Sequence, residues 1–312
     1  MSGQTLLSYL LAALAAMGNA LANTMQRKAG LEEADRPFGL RLLFDLVRSP
    51  TWLLGFFGLV SSFVLQAVAL GLGQLSAVET IITLEVPLTL LVASRVFATP
   101  LGRTEWTGIL VMTAGMIALI GILSPQPGDE IDVSHGTYVA AGVGTAATIT
   151  VLVVLGQRGG SLWRTACLGA AAGTSFGLTA TLIKATIAAG QADGVQDVLR
   201  TWQTYGAIAF GVLGLVLVQW ALHTGPLLAA QPGFTLMDPL VSILWGVLVF
   251  NETTRSGLWL IPATLGAIAI GIGVLVLAHS PLLASLAAEE EKATVEQPRL
   301  GAYPGPRVDP RA

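Results

Sequence analysis

The sequence predicts an all-α polytopic membrane protein: nine transmembrane helices, arranged as two inverted four-helix repeats joined by a linker helix. Three observations carry that prediction. The 312 residues are 53% hydrophobic and only 11% charged, with a mean hydropathy of +0.71, whereas soluble domains are about 25% charged. The charges fall between long apolar runs, as they do between membrane spans. The second half of the chain also echoes the first. Residues 69–123, slid along by 152 positions without a gap, are identical at fourteen of 55 pairs. Those pairs include Gly73/Gly225, Thr83/Thr235, Pro87/Pro239, Arg103/Arg255 and Gly121/Gly273.

Spans are expected at about 5–24, 52–72, 76–96, 106–123, 138–155, 165–186, 205–222, 227–250 and 258–277. Each is near the roughly 17–25 apolar residues that a crossing needs. Trp52, Trp106, Trp163, Trp202 and Trp259 lie at or just outside span ends, where interfacial aromatics collect. In the sixth span Gly169, Gly173 and Gly177 make two overlapping G-x-x-x-G spacings. They mark either a close helix contact or simple glycine richness. With the N-terminus outside, thirteen of the 16 basic residues become cytoplasmic, leaving Lys184, Arg200 and Arg255 outside. That bias obeys the positive-inside rule.

Domains follow from this layout. The first repeat occupies 1–124 with spans one to four, the linker span 125–160, and the second, inverted repeat 161–279. Spans two to four match spans seven to nine, five crossings later, and an odd shift inverts the second copy. Residues 38–48 place Arg41, Asp45 and Arg48 on one helical face. They read as an interfacial helix or as a loop, with a counterpart at 195–202. The stretch 280–312, with its acidic run and four prolines from Pro298 onward, reads as a disordered cytoplasmic tail. The protein is expected in the cell membrane as a multi-pass chain. Its opening residues carry no basic group before the first apolar run, so no cleaved signal is expected.

Charge inside the spans is costly, about 3 kcal/mol at a helix centre on insertion scales. Three acids incur that cost: Glu79 and Glu85 in the third span and Asp238 in the eighth. Glu85 and Asp238 fall near the midplane, and Glu79 about 9 Å nearer the outside at helical rise. At the repeat offset Glu79 corresponds to Gln231 and Asp238 to Val86, so Glu79 and Asp238 occupy equivalent faces. Pro87 and Pro239 lie beside the acids, and a proline cannot donate to the carbonyl four residues back. That leaves the Thr83 and Thr235 carbonyls, with their hydroxyls, as candidate ligands. Broken helices at matching positions point to a transporter site, or they merely kink the bundle. Asn19, Asn23, Gln66 and Gln219 either line the cavity or bond helix to helix. Glu252, just past the eighth span, reads as an exposed loop charge.

Other chemistry is poorly supported by the sequence. The lone Cys167 forms no intrachain disulfide, and 3 His with 1 Cys make no metal cluster. No P-loop and no Ser–His–acid grouping is present, so neither an enzyme nor a cofactor is expected. The basic residues are scattered, so no nucleic-acid partner is expected.

Several stretches resemble a known family. Spans three and eight are centred on proline, and Asn251 and Glu252 close span eight. Gln26-Arg27-Lys28-Ala29-Gly30-Leu31 ends the first span and Pro50-Thr51-Trp52-Leu53-Leu54-Gly55 opens the second. Together these are similar to the drug/metabolite transporter superfamily, in its nine-span, NIPA-like magnesium-transporter branch. The resemblance implies alternating access through a central cavity between the halves. The expected function is therefore a secondary transporter for a small cationic or zwitterionic solute. Its binding residues would be Glu85, Asp238, Glu79, Thr83, Thr235, Gln231, Gln66 and Gln219. If a divalent cation is the substrate, Glu79, Glu85 and Asp238 would be its ligands. A proton as coupling ion and a homodimer fit the same reading. The alternatives are a cation channel or facilitator, such as a magnesium permease, and a non-transporting membrane scaffold.

Overall fold

A computed structural model describes residues 3–32, 49–126, 128, 133–225, 227–255 and 257–279. The expected helix at 38–48, the acidic loop Asp129 to Asp132 and the tail lie outside the described residues. The described chain is nearly all helix; its only β pairing is an isolated bridge between Gln126 and Thr253.

We number the helices α1 (Gly3–Glu32), α2 (Pro50–Leu72), α3 (Leu75–Ile82), α4 (Glu85–Val96), α5 (Arg103–Leu123) and α6 (His135–Gly156). They continue as α7 (Ser161–Asp193), α8 (Val195–Val198), α9 (Trp202–Thr224), α10 (Leu227–Leu248) and α11 (Leu260–Ala278). Counting α3 with α4 as one segment, eight stretches among the described residues are long and apolar enough to cross a membrane. Leu110, Ile117, Val143, Ile208 and Leu265, all mid-helix, are exposed, as lipid-facing side chains are. The chain is a helical membrane protein. The eight do not include α10, the expected eighth of nine spans. It is 22 residues long.

The expected third span is two helices. Thr83 and Leu84 both sit at φ −59°, ψ −17°, a tight 3₁₀-like turn. Leu84 N–H donates to the Ile81 carbonyl at 3.0 Å, and Val86 N–H to Thr83 at 3.3 Å. Pro87 does remove the usual donor to Thr83, but Val86 supplies another, so that carbonyl is not left free as expected. Pro239 differs again: it lies with Pro232 inside a continuous α10. That helix is pressed along one side by α7, where added Cβ atoms on Gly169, Gly173 and Gly177 would strike the Ala230, Phe234 and Asp238 carbonyls. The G-x-x-x-G spacing is a close backbone contact. Neighbouring backbone braces α10 where proline interrupts its ladder.

α1 packs against α2 and against α3 and α4; α7 packs against α9 and α10; α5 packs against α11. Gly108 meets Leu277, Gly115 meets Gly266, and Gly273 meets Met112, so α5 and α11 run antiparallel. Glu252, just past the end of α10, bonds the start of α3, so those two are antiparallel as well. The expected linker, α6, lies against α7. Trp245 Nε1, on α10, donates to Thr145 Oγ1 of α6 at 2.9 Å.

Candidate functional site

The α3–α4 break, α1, α2 and α10 bring the intramembrane acids together. Glu79, on α3, is 2% exposed, and its Oε1 accepts from Gln66 Nε2 at 3.0 Å. Glu85 opens α4 and accepts from Asn19 Nδ2 at 3.1 Å and Asn23 Nδ2 at 2.7 Å, both on α1. Asp238 lies within Coulombic range of both glutamates, and its Oδ1 is buried with no hydrogen-bond partner among the described residues. Three carboxyl groups from two parts of the chain therefore share one neighbourhood. Among the described residues, the hydrogen-bond donors to them are the neutral amides of Asn19, Asn23 and Gln66. Buried acids of like charge repel strongly at low dielectric, so the cluster favours protons or a cationic guest.

The remaining expected residues divide. Asn19, Asn23 and Gln66 bond directly to the acids, from α1 to α4 and from α2 to α3, which is the helix bonding expected as one alternative. Thr83 Oγ1 turns back to the Thr80 carbonyl at 2.6 Å. Thr235 Oγ1 is buried without a partner among the described residues. Gln231 is half-buried, and Gln219 is on the exposed side of α9; neither bonds an acid among the described residues. Among the described residues, no three His, Cys, Asp or Glu groups come close enough to hold a metal ion. The geometry does not fit a dehydrated divalent cation gripped by all three acids at once, because such an ion needs oxygens at about 2.0–2.6 Å.

Two charged residues take places that the sequence did not reveal. Lys184, expected near the outer end of the sixth span, is 1% exposed within α7, which continues to Asp193. Its Nζ donates to the Leu70 carbonyl at 3.1 Å and the Gly73 carbonyl at 2.5 Å. Glu252 was expected as an exposed loop charge, yet it is 2% exposed. It accepts from Leu75 N at 2.5 Å, Ser76 N at 3.3 Å and Ser76 Oγ at 2.5 Å. Asn251, at φ 53°, adopts the left-handed backbone that asparagine tolerates. That reversal turns Glu252 inward, where its N–H donates to Gly246. Apolar residues on both sides of Lys184, at Leu182, Ile183, Ala185 and Ile187, were the available signal for its burial.

The same turn is held from its own side. Ser8 Oγ donates to the Ala69 carbonyl at 2.8 Å, and Tyr9 OH to Gln74 Oε1 at 3.1 Å. At the other end of the acid cluster Asn23 is exposed.

No family model and no solved structure matches this chain. It is similar to an uncharacterized protein of Corynebacterium glutamicum, 28% identical over 255 residues, covering 78% of this chain and 82% of that protein.

Proposed function

We propose that this chain is a secondary transporter that carries a small cationic or zwitterionic solute by alternating access. The observation that supports it best is the meeting of Asp238 with Glu79 and Glu85. Buried ionisable groups in a membrane bundle are expensive to keep and are a default pointer to a substrate or ion path. In this reading α10 is a ninth span, and the chain is two inverted repeats with α6 between them. The antiparallel pairs α3/α10 and α5/α11 support it, since each joins segments that correspond at the 152-residue offset. The N-terminus lies outside and the C-terminus in the cytoplasm.

Glu85 and Asp238 bind the cationic group or a proton, and Glu79 extends the site toward the α2–α3 turn. The amides of Asn19, Asn23 and Gln66 hold the two glutamates in place and leave with no net charge of their own. Because the acids do not form a metal cage, the favoured guest is an organic cation, an amine or a proton rather than a bare divalent ion. The test is flux in proteoliposomes across a panel of amines, amino acids and divalent cations. Saturable uptake driven by a proton gradient, and lost in Glu85→Gln and Asp238→Asn, is the expected result. Ohmic, unsaturable current would replace the transporter with a passive pore, and unchanged flux in both variants would remove the site.

A further inference from the structure

The turn between α2 and α3 is gripped by two buried, oppositely charged side chains from the far part of the chain. Helix α2 ends at Leu72 and helix α3 starts at Leu75, so unsatisfied carbonyls and unsatisfied N–H groups lie within a few residues. Lys184, from α7, places its ammonium on the carbonyls of Leu70 and Gly73. Glu252, beyond α10, places its carboxylate on the N–H groups of Leu75 and Ser76 and on the Ser76 hydroxyl. Each charge meets the end of the helix dipole that it complements. The two side chains are also within Coulombic range of each other.

This contact has a particular position. Glu79 is one helical turn along α3 from Leu75 and is 2% exposed, so this end of the acid cluster is closed. Asn23, at the opposite end, is exposed. Apart from the two charged grips, α2 and α3 touch α7 only sparsely. On the other side α3 packs against α10, where Leu75 and Val78 share a buried apolar core with Val249 and Phe250, so the charged grips are the polar part of the closure and the part that water can replace on opening. Gly246 is shaped to the same contact, since a Cβ there would lie 2.5 Å from Glu252 Oε2.

We propose that Lys184 and Glu252 form a latch between the two halves that shuts the mouth beside Glu79. It must release before the site can open to that face. The purpose of the latch rests on the transporter reading, but its closure does not, and the test separates them. In a Cys167→Ala background, Glu79→Cys places a thiol behind the latch. Sealed vesicles of both orientations are treated with a membrane-impermeant methanethiosulfonate. With the latch intact the thiol reacts from the Asn23 face alone. Adding Lys184→Met raises the rate from the opposite face tenfold or more, and Ser76→Ala, which keeps both backbone bonds, raises it about threefold. Should Lys184→Met fail to fold, Ser76→Ala decides the question. Unchanged labelling from the opposite face in the folded latch variants, or fast labelling there with the latch intact, overturns the proposal. Altered labelling, when the protein that keeps Glu79 carries no solute in the flux assay, sustains the latch and counts against the transporter.

Discussion

Replacing Gly177 by alanine tests whether the seam between α7 and α10 positions Asp238. An added Cβ would lie 2.7 Å from the Asp238 carbonyl oxygen, 2.9 Å from Val241 Cβ and 3.2 Å from Val241 Cγ1. Ordinary carbon–oxygen contacts between helices are about 3.3–3.6 Å. The two helices must therefore separate locally by about 0.6 Å or more, since backbone and a Cβ cannot swing aside. Overpacking of this kind costs about 1–3 kcal/mol, while alanine in place of helical glycine returns about 1 kcal/mol. Gly142→Ala, on α6, is the control, because nothing lies within 4 Å of its added Cβ. It receives the helix gain alone. Reversible unfolding in mixed micelles should then place Gly177→Ala about 1–3 kcal/mol below Gly142→Ala, with solute affinity weakened in the former. Equal stability of the two variants would refute the close contact and the positioning argument together.

Three other outcomes are expected. Asn19→Leu with Asn23→Leu removes both donors to Glu85, and bonds to charged groups are worth about 1.5–3 kcal/mol each. Flux should fall at least tenfold with the protein still correctly inserted, whereas Asn23→Ala alone, at the exposed bond, should lose less. Burial pushes the Glu252 carboxyl above its ordinary value of 4.5, against the downward pull of the Ser76 hydroxyl, the Lys184 charge and two backbone N–H groups. The folded state therefore binds more protons than the unfolded one. This group's contribution is full below the ordinary carboxylate range and declines as pH rises through the folded value. Unfolding followed from pH 4 to 8 should show wild type losing ground to Glu252→Gln as pH rises; a constant gap would contradict this. Finally, a double-mutant cycle of Trp245→Phe and Thr145→Val should give a coupling of about 0.5–1.5 kcal/mol for their bond, and zero coupling would detach α6 from α10.

Much of the architecture was legible in the residues. Apolar runs of spanning length marked all the long helices, and the G-x-x-x-G spacing marked a real close approach. Periodic burial and backbone packing are local properties, written in composition and spacing. The prolines were less readable. Pro87 accompanies a break and Pro239 does not, because the outcome depends on which neighbours brace the helix and which N–H groups remain in reach.

The sequence alone determined that this chain belongs in a membrane, and it singled out Glu79, Glu85 and Asp238 as acids that are costly within apolar runs. Tertiary structure decided which partners those acids have and where Lys184 and Glu252 go. A glutamate after a helix read as an exposed loop charge and a lysine near a span end drew no partner, since local composition cannot say what packs across from them. Only the fold brings a helix C-terminus to one and a helix N-terminus to the other. Those backbone ends supply the opposing partial charge that makes burial tolerable.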